Sequence, residues 1–407
     1  MKKLSVIYEG WGERYELGVL ADNEREILFE YSKHAIERGL ELSQYKLPLR
    51  AESYSGFPEH QLRLPGLISD ALPDGWGMLL MDRLFRKEGR SLADISPLDR
   101  LAFIGDSAMG ALTFEPPDRE ALTAKDIRLL DIAREVRQFM DDSSEEVLRE
   151  LALLGGSPHG ARPKILVNFD RKNNRMSTSQ SSTGIPMLVK FPAENEKKEV
   201  CAVEAAYGRI AAACKIRMPV TEYFDLDRNL SAFGVERFDR LEGMRIPMHT
   251  AAGAAHVNFR IPQLDYVALL RLTRLMTRDA REVRQAFERC VFNVVFNNRD
   301  DHSKNFSFVL DRDGHWKFSP AYDLTFCEGP RGEHQMDICG EARSPSRRHL
   351  FELADKNDIP ERDALEIIER TTAVADDFTD FMDELPISKK TVATIARRVK
   401  ENCDLLR

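Results

Sequence analysis

Apolar and polar residues alternate along the first part of the chain. The runs LSVIYEG, RYELGVLAD and REILFEY lie within residues 4–31 and are separated by GWGE and ADNE. Such alternation is typical of strands that bury one face, and the separators are typical of turns. The pattern therefore predicts an antiparallel meander.

Helical spacing then replaces the alternation. The run LPDGWGMLLMDRLF places apolar residues at helical intervals, with Asp74 at the position of an N-cap. Further helices are predicted for residues 97–104 and, after a break, within 123–153. Between them, the strand-like GALTFEPPD ends in two prolines, and we place the first domain boundary there, near residue 120.

Strands return after residue 163, and helices dominate after residue 262. KILVNFD and PMLVKFP precede a helix at 199–214, and VTEYFDL and SAFGVERFD follow it. The later part is helical apart from one hairpin, FSFVL-DRDG-HWKFS, and the irregular stretch 327–346, for which we predict a mobile loop. The predicted C-terminal helices span residues 266–276, 281–296, 349–356, 363–381 and 389–404.

Composition narrows the range of functions. The chain has 407 residues, of which 43% are hydrophobic, and a net charge of −8, which makes it a poor candidate for binding DNA through its own field. Its 6 cysteines form no CxxC pair, so we expect buried thiols in a reducing compartment. The sequence has neither a signal-peptide core nor a window of membrane-spanning length. We therefore expect a cytoplasmic protein.

A polar segment follows the apolar run FNVVF. It reads NNRDDHSKN, and Asp300 precedes Asn305 by 5 residues. The catalytic loop of protein kinases has the same interval, and there too a short hairpin and a metal-binding aspartate follow; here that aspartate is Asp323. A polar turn with capping side chains would explain the first two residues equally well. The hairpin and Asp323 favour a site that binds metal-bound phosphates.

Upstream residues could complete such a site. Lys190 lies on the strand PMLVKFP and Glu204 on the next helix, an arrangement that can aim an ammonium group at nucleotide phosphates. Most such pairs are solvated, but Glu204 has apolar neighbours. Gly156 and Gly160 flank a loop whose backbone could wrap phosphate, although this is also ordinary linker composition. Ser157, in that loop, is a candidate phosphoacceptor or simply a turn residue.

Other candidates rest on position. Glu236 and Phe238 end a strand just before the helical half, where backbone groups could meet an adenine edge. His302 and Lys304 lie within the polar segment, and we include them with the nucleotide-binding residues. The cluster Arg343–His349 is either a solvated basic face or a contact for an acidic group or phosphate.

These motifs, in this order, resemble the HipA family. The motifs are LPDGWGMLLMDRL, GDSAMGALTFEP, SPHGARPK, MLVKFP, VERFDR, RDDHSKNFSF and SPAYDL. The resemblance implies an α+β class with a two-lobed, protein-kinase-like fold, an N-terminal β-rich subdomain and a mostly helical C-terminal lobe. We divide the chain accordingly into an N-terminal subdomain (1–120), a kinase N-lobe with phosphate loop and hinge (121–240) and a helical C-lobe (241–407).

The resemblance also implies chemistry. The family consists of serine/threonine kinases that use ATP and Mg²⁺, and the catalytic base would be Asp300. Asn305 and Asp323 would hold the metal, Lys190 the phosphates, and Ser157 would be the site of autophosphorylation. The backbones of Glu236 and Phe238 would contact adenine.

Family members act as growth-inhibiting toxins on a protein target such as an aminoacyl-tRNA synthetase. A HipB-like DNA-binding antitoxin restrains them, and DNA is contacted only indirectly, through that partner. Two alternatives stay open from the residues alone. The chain could be a kinase-fold corepressor that mainly binds a DNA-binding partner, or a kinase that acts on a small molecule.

Overall fold

A five-stranded antiparallel sheet forms the first part of the chain. The computed structural model describes residues 1–118, 126–127, 129–142, 145–156, 158–173, 175–177 and 184–407. The strand order is β4-β3-β2-β1-β5, so the predicted meander is confirmed for three consecutive strands. These strands are β1 (Lys2–Tyr8), β2 (Tyr15–Asp22), β3 (Ile27–Tyr31), β4 (Ser53–Tyr54) and β5 (Leu112–Glu115).

Helices cover this first sheet and connect it to the rest. They are α1 (Lys33–Arg38), α2 (Gly66–Ser69), α3 (Gly75–Lys87) and α4 (Pro97–Ile104). Helix α3 buries Leu80, Leu84 and Phe85 of its predicted apolar positions, and Trp76 as well, whereas Leu79 is 39% exposed. Asp74 does occupy the N-cap position, but its carboxylate makes no capping hydrogen bond. It binds elsewhere, as described below.

A six-stranded sheet of order β10-β11-β9-β7-β8-β6 forms the second part. Its strands are β6 (Asp126–Ile127), β7 (Lys164–Asp170), β8 (Arg175–Ser177), β9 (Ile185–Lys190), β10 (Thr221–Asp225) and β11 (Ser231–Glu236). The accompanying helices are α5 (Leu129–Asp142), α6 (Glu145–Gly155) and α7 (Glu199–Ala213). Strand β7 pairs with β9 so that Lys164 faces Lys190 across the ladder. Strand β6 occupies residues for which the periodicity predicted helix.

The last part is mostly helical, as predicted. Short strands enter it: β12 (Arg240–Leu241), β13 (Met244–Arg245), β14 (Met248–Thr250), β15 (Ser307–Leu310) and β16 (Trp316–Phe318). The predicted hairpin is β15–β16, which β14 extends to three strands. The helices are α8 (Ala251–Ala255), α9 (Tyr266–Thr277), α10 (Ala280–Val295), α11 (Arg347–Asp355), α12 (Glu361–Asp376), α13 (Phe378–Asp383) and α14 (Lys389–Leu406).

Two predictions for this part were wrong. The single helix expected over residues 363–381 is two helices, α12 and α13. The stretch 327–346 has little regular structure, but Met336 and Ile338 are fully buried. Because its apolar residues are anchored in the core, this stretch is packed rather than a mobile surface loop.

One apolar core runs through all three predicted parts of the chain. The first part is also joined to the last by buried polar contacts. Asp70 accepts hydrogen bonds from His249 Nδ1, Thr250 N–H and Thr250 Oγ1, each at 2.7 Å. These contacts fix the first subdomain against the helical half, next to the residues described below.

Among the described residues, no helix is long and apolar enough to span a membrane.

Candidate active site

A buried ion triad lies at the end of β9. Lys190 Nζ is 2.5 Å from Glu204 Oε1 and also donates to Asp323 Oδ1. Burial alone would lower the pKa of Lys190, but the carboxylates of Asp323 and Glu204 raise it above its ordinary value. The ammonium group therefore stays charged, fixed between a helix of one half and a loop of the other.

Asp323 is the component contributed by the helical half. Its φ of +53° lies in the left-handed region, which indicates that the surrounding structure fixes this residue. Burial would raise its pKa, but Lys190 and Lys164 lower it below the ordinary value. Only Oδ1 takes part in a hydrogen bond within the described part of the chain, and the side chain is 28% exposed. A carboxylate oxygen is thus left for a cation.

Two basic residues that the sequence analysis missed lie next to this triad. Lys164 is buried beside Lys190, and its ammonium donates to the carbonyl of His159. Burial is the main reason that the pKa of Lys164 falls to about 8. Arg162 lies 3.3 Å from Glu204 and 2.9 Å from Glu196. The motif SPHGARPK contained both residues, but only the structure shows that the β7–β9 pairing places Lys164 opposite Lys190 and that Arg162 contacts Glu204.

The two neighbouring aspartates of the polar segment, Asp300 and Asp301, differ in burial and in hydrogen bonding. Asp301 is fully buried and accepts hydrogen bonds from Tyr266 Oη at 2.7 Å, His334 Nδ1 at 2.8 Å and Gln335 N–H at 2.8 Å. The Asp300 side chain is instead 53% exposed. Asp301 anchors the loop, and this leaves Asp300 to face the cleft.

Asp300 is held in an acidic environment. Partial burial raises the pKa of Asp300 above the ordinary carboxyl value, and the negative charges of Asp323 and Asp301 raise it further. His302 opposes this shift in part. His302 Nε2 is 3.9 Å from Asp300 Oδ1, and its ring lies 5.3 Å from that of Phe259. A carboxyl group of raised pKa is better suited to accept a proton than an ordinary one.

Asn305 is oriented by the backbone of the same loop. Its Nδ2 donates to the carbonyl oxygen of Asp300 at 2.6 Å. This bond fixes the amide, and its Oδ1 accepts no hydrogen bond from the described residues. Together with the remaining oxygen of Asp323, it provides the hard oxygen ligands that Mg²⁺ prefers. The residues present therefore fit a magnesium ion.

The strand end after β11 contains Glu236 and Phe238, the residues predicted to contact adenine. The N–H of Glu236 donates to Val220 at 2.9 Å and that of Arg237 to Pro186 at 2.8 Å. The N–H of Phe238 has no partner among the described residues, and the Phe238 ring is 5.6 Å from that of Tyr322. The Glu236 side chain lies 3.7 Å from Arg171.

The glycine loop and Lys304 are held by the first subdomain. The N–H of Gly160 donates to Asp74, and Lys304 Nζ lies 3.2 Å from the same carboxylate. In this conformation the Gly160 N–H is taken by Asp74, whereas the Lys304 ammonium has further N–H groups from which a phosphate could accept. Gly156 is buried at the start of the loop with a φ of +53°. Ser157, the candidate phosphoacceptor, lies outside the described residues. In the cluster Arg343–His349, the side chain of Arg343 pairs with Glu333 at 2.9 Å, and its carbonyl accepts a hydrogen bond from Arg299 at 3.1 Å.

The arrangement defines a class of protein. A sheet-rich lobe with a buried Lys–Glu pair faces a helical lobe with an Asp–Asn loop and a further aspartate, as in protein-kinase-like folds. Residues 156–378 match the HipA-like C-terminal domain, and residues 9–115 match the HipA N-terminal domain. The chain belongs to the HipA family.

Known proteins agree with this assignment. "Putative kinase Y4mE" of Sinorhizobium fredii is 29% identical over 335 residues, which cover 77% of this chain and 75% of that protein. A "Putative kinase" of Haemophilus influenzae is 27% identical over 104 residues, covering 23% of this chain and 30% of that protein.

A solved structure shares the fold. The Shewanella oneidensis HipA, solved with HipB and its operator DNA, aligns with a TM-score of 0.74 at 17% identity. The alignment covers 98% of this chain and 96% of that one. The predicted fold class, α+β with two kinase-like lobes and an N-terminal β-rich subdomain, is confirmed.

Proposed function

We propose that this protein is an ATP- and Mg²⁺-dependent serine/threonine protein kinase. The observation that carries the proposal is the buried triad of Lys190, Glu204 and Asp323 opposite the loop that presents Asp300 and Asn305. Two lobes contribute to one cleft, and each contributes the charged groups that phosphoryl transfer needs. Relatives named as kinases support the same reading.

Each residue has a distinct role in this scheme. Lys190 and Lys164 bind phosphate oxygens, and Glu204 keeps the Lys190 ammonium in place. Asp300 orients the acceptor hydroxyl and takes its proton as the phosphoryl group leaves ATP. Magnesium, when bound, would neutralise charge that develops on the phosphates.

Asn305 and Asp323 would hold that magnesium. The adenine edge would contact the backbones of Glu236 and Phe238. Gly156, Gly160, His302 and Lys304 would surround the phosphates once the loop has adjusted around the nucleotide. In support, the Phe238 N–H, Asn305 Oδ1 and the second carboxylate oxygen of Asp323 have no hydrogen-bond partner among the described residues.

The biological setting follows the family. We propose a cytoplasmic, growth-inhibiting toxin that phosphorylates a protein, such as an aminoacyl-tRNA synthetase, and itself at Ser157. Its partner would be a HipB-like DNA-binding antitoxin, because the structural neighbour was solved with HipB and operator DNA. The net charge of −8 favours contact with DNA only through that partner.

The test is transfer from γ-labelled ATP with magnesium, followed by mapping of the label. The proposal predicts phosphoserine on the chain itself, with Ser157 as the labelled site. A small-molecule kinase would label neither this chain nor an added protein. No turnover, with intact binding of a DNA-binding partner, would instead indicate a corepressor and would refute the kinase assignment.

A further inference from the structure

Asp74 connects three parts of the molecule although it lies outside both lobes. It precedes α3 in the N-terminal subdomain, and its side chain turns away from the helix it could cap. Oδ1 accepts the N–H of Gly160, at the end of the glycine loop, and Oδ2 is 3.2 Å from Lys304 Nζ in the catalytic loop. A single carboxylate therefore bridges the subdomain, the glycine loop and the catalytic loop.

Neighbouring backbone contacts reinforce this bridge. Trp76 N–H donates to the carbonyl of Gly160 at 3.2 Å, and His159 Nε2 is 3.1 Å from the carbonyl of Leu72. At Gly75, which has a φ of +45°, a Cβ atom would lie only 2.7 Å from the Gly160 oxygen. Only glycine permits so close an approach with that backbone conformation. The close contact between the start of α3 and the glycine loop therefore depends on Gly75 in the subdomain as well as on Gly160 in the loop.

The ion pair is also buried. The side chains of Asp74 and Lys304 are 8% and 11% exposed, so water screens their attraction poorly. Burial would raise the pKa of Asp74, but His159, Lys304 and the Gly160 N–H hold it below its ordinary range. Burial and Lys304 lower the pKa of His159 to about 4, so this histidine is neutral at pH 7. Lys304 is therefore the cation that neutralises Asp74.

We propose that Asp74 is a positioning residue for the nucleotide site. By holding Gly160 and Lys304 at once, it lets the N-terminal subdomain set the distance between the glycine loop and the catalytic loop. This inference rests on the proposed kinase function. It deepens that function because it makes a third part of the chain necessary for phosphate binding.

The test uses the full chain with Asp74→Ala and with Asp74→Asn, which keeps an acceptor for Gly160 but loses the charge. The matched control is Asp82→Ala, since Asp82 lies in the same subdomain and pairs with Arg100 at 2.7 Å. Displacement of catalytic groups by about 1 Å costs on the order of a hundredfold in rate. We expect kcat/KM for ATP to fall by at least about tenfold in Asp74→Ala and less in Asp74→Asn. Asp82→Ala should match the wild type.

A double variant separates positioning from simple destabilisation. On a Lys304→Met background, Asp74→Ala should have a smaller effect than on the wild type, because the partner is already lost. Kinetics of Asp74→Ala equal to those of the wild type would overturn the inference. So would fully multiplicative effects in the double variant.

Hydrogen exchange without nucleotide keeps the inference separate from the kinase proposal. The peptide that contains Gly160 should exchange faster in Asp74→Ala than in the wild type. In Asp82→Ala, its exchange rate should equal that of the wild type. If the wild type transfers no phosphate, the proposed function fails and exchange alone decides on the bridge. Equal exchange in both variants would refute the anchoring role, whatever the activity.

Discussion

Replacing Lys190 with methionine removes the ammonium group that binds two carboxylates. Glu204 is 3% exposed and would keep Arg162, 3.3 Å away, as its ion-pair partner among the described residues, while Asp323 is 28% exposed and can be hydrated. Breaking a buried ion pair from one side costs about 3–5 kcal/mol. Because both carboxylates retain partial compensation, we expect the low end, about 3 kcal/mol at pH 7.

The penalty should depend on pH with a definite sign. Asp323 has a depressed pKa in the folded protein, so its contribution to stability is present above the unfolded value of about 3.9 and is lost as pH falls through the folded value. In Lys190→Met, the stranded carboxylates can accept protons instead. The stability difference between variant and wild type should therefore shrink below about pH 4.

Thermal unfolding at several pH values, with and without MgATP, measures both effects. Saturating nucleotide at about 100 times its Kd should stabilise the wild type by roughly 2.7 kcal/mol and Lys190→Met hardly at all. Lys197→Met is the control, because Lys197 is 79% exposed and 3.7 Å from Glu199. A Lys190→Met protein as stable as this control at pH 7, with an intact response to MgATP, would refute the triad.

Three further outcomes are expected. If Lys164 binds phosphate, the affinity for ATP should weaken as pH rises through about 8, because Lys164 loses its proton there. Lys164→Arg should abolish this decline. An ATP affinity of the wild type that does not change with pH in equilibrium titrations would contradict the role of Lys164. Asp301→Asn should lower the unfolding midpoint, because the carboxylate accepts hydrogen bonds from Tyr266, His334 and the backbone N–H of Gln335. Each buried group that loses its partner costs about 1–3 kcal/mol. An unchanged midpoint would argue against the role of Asp301 as an anchor of the loop. Ser157→Ala should remove the labelled peptide from autophosphorylation maps while transfer to a protein target continues; a label that persists elsewhere on the chain would move the acceptor.

Local patterns in the sequence predicted much of the structure. The meander and the hairpin follow from alternation and turns between neighbouring residues, and both are confirmed. Asp300, Asn305 and Asp323 could be singled out because they share one short segment. The pairing of Lys190 with Glu204 was also predictable, since a strand and the next helix carry them.

Contacts between distant segments could not be predicted in this way. Lys164 lies beside Lys190 only because β7 and β9 are neighbours, which periodicity does not reveal. Asp74 had the signature of an N-cap, yet its carboxylate binds Gly160, which is 86 residues away. The stretch 327–346 lacks periodicity because single apolar side chains, rather than a helix face, fix it to the core. In each case tertiary packing decides what the local pattern leaves open.

Replacement of Asp300 tests the central claim most directly. The variant Asp300→Asn keeps the shape of the side chain but cannot accept a proton, whereas Lys190, Asn305 and Asp323 remain in place. The measurement is transfer from γ-labelled ATP, with MgATP binding determined on the same samples. We predict nearly unchanged MgATP binding and a transfer rate at least about a hundredfold lower. Transfer at the wild-type rate would contradict it.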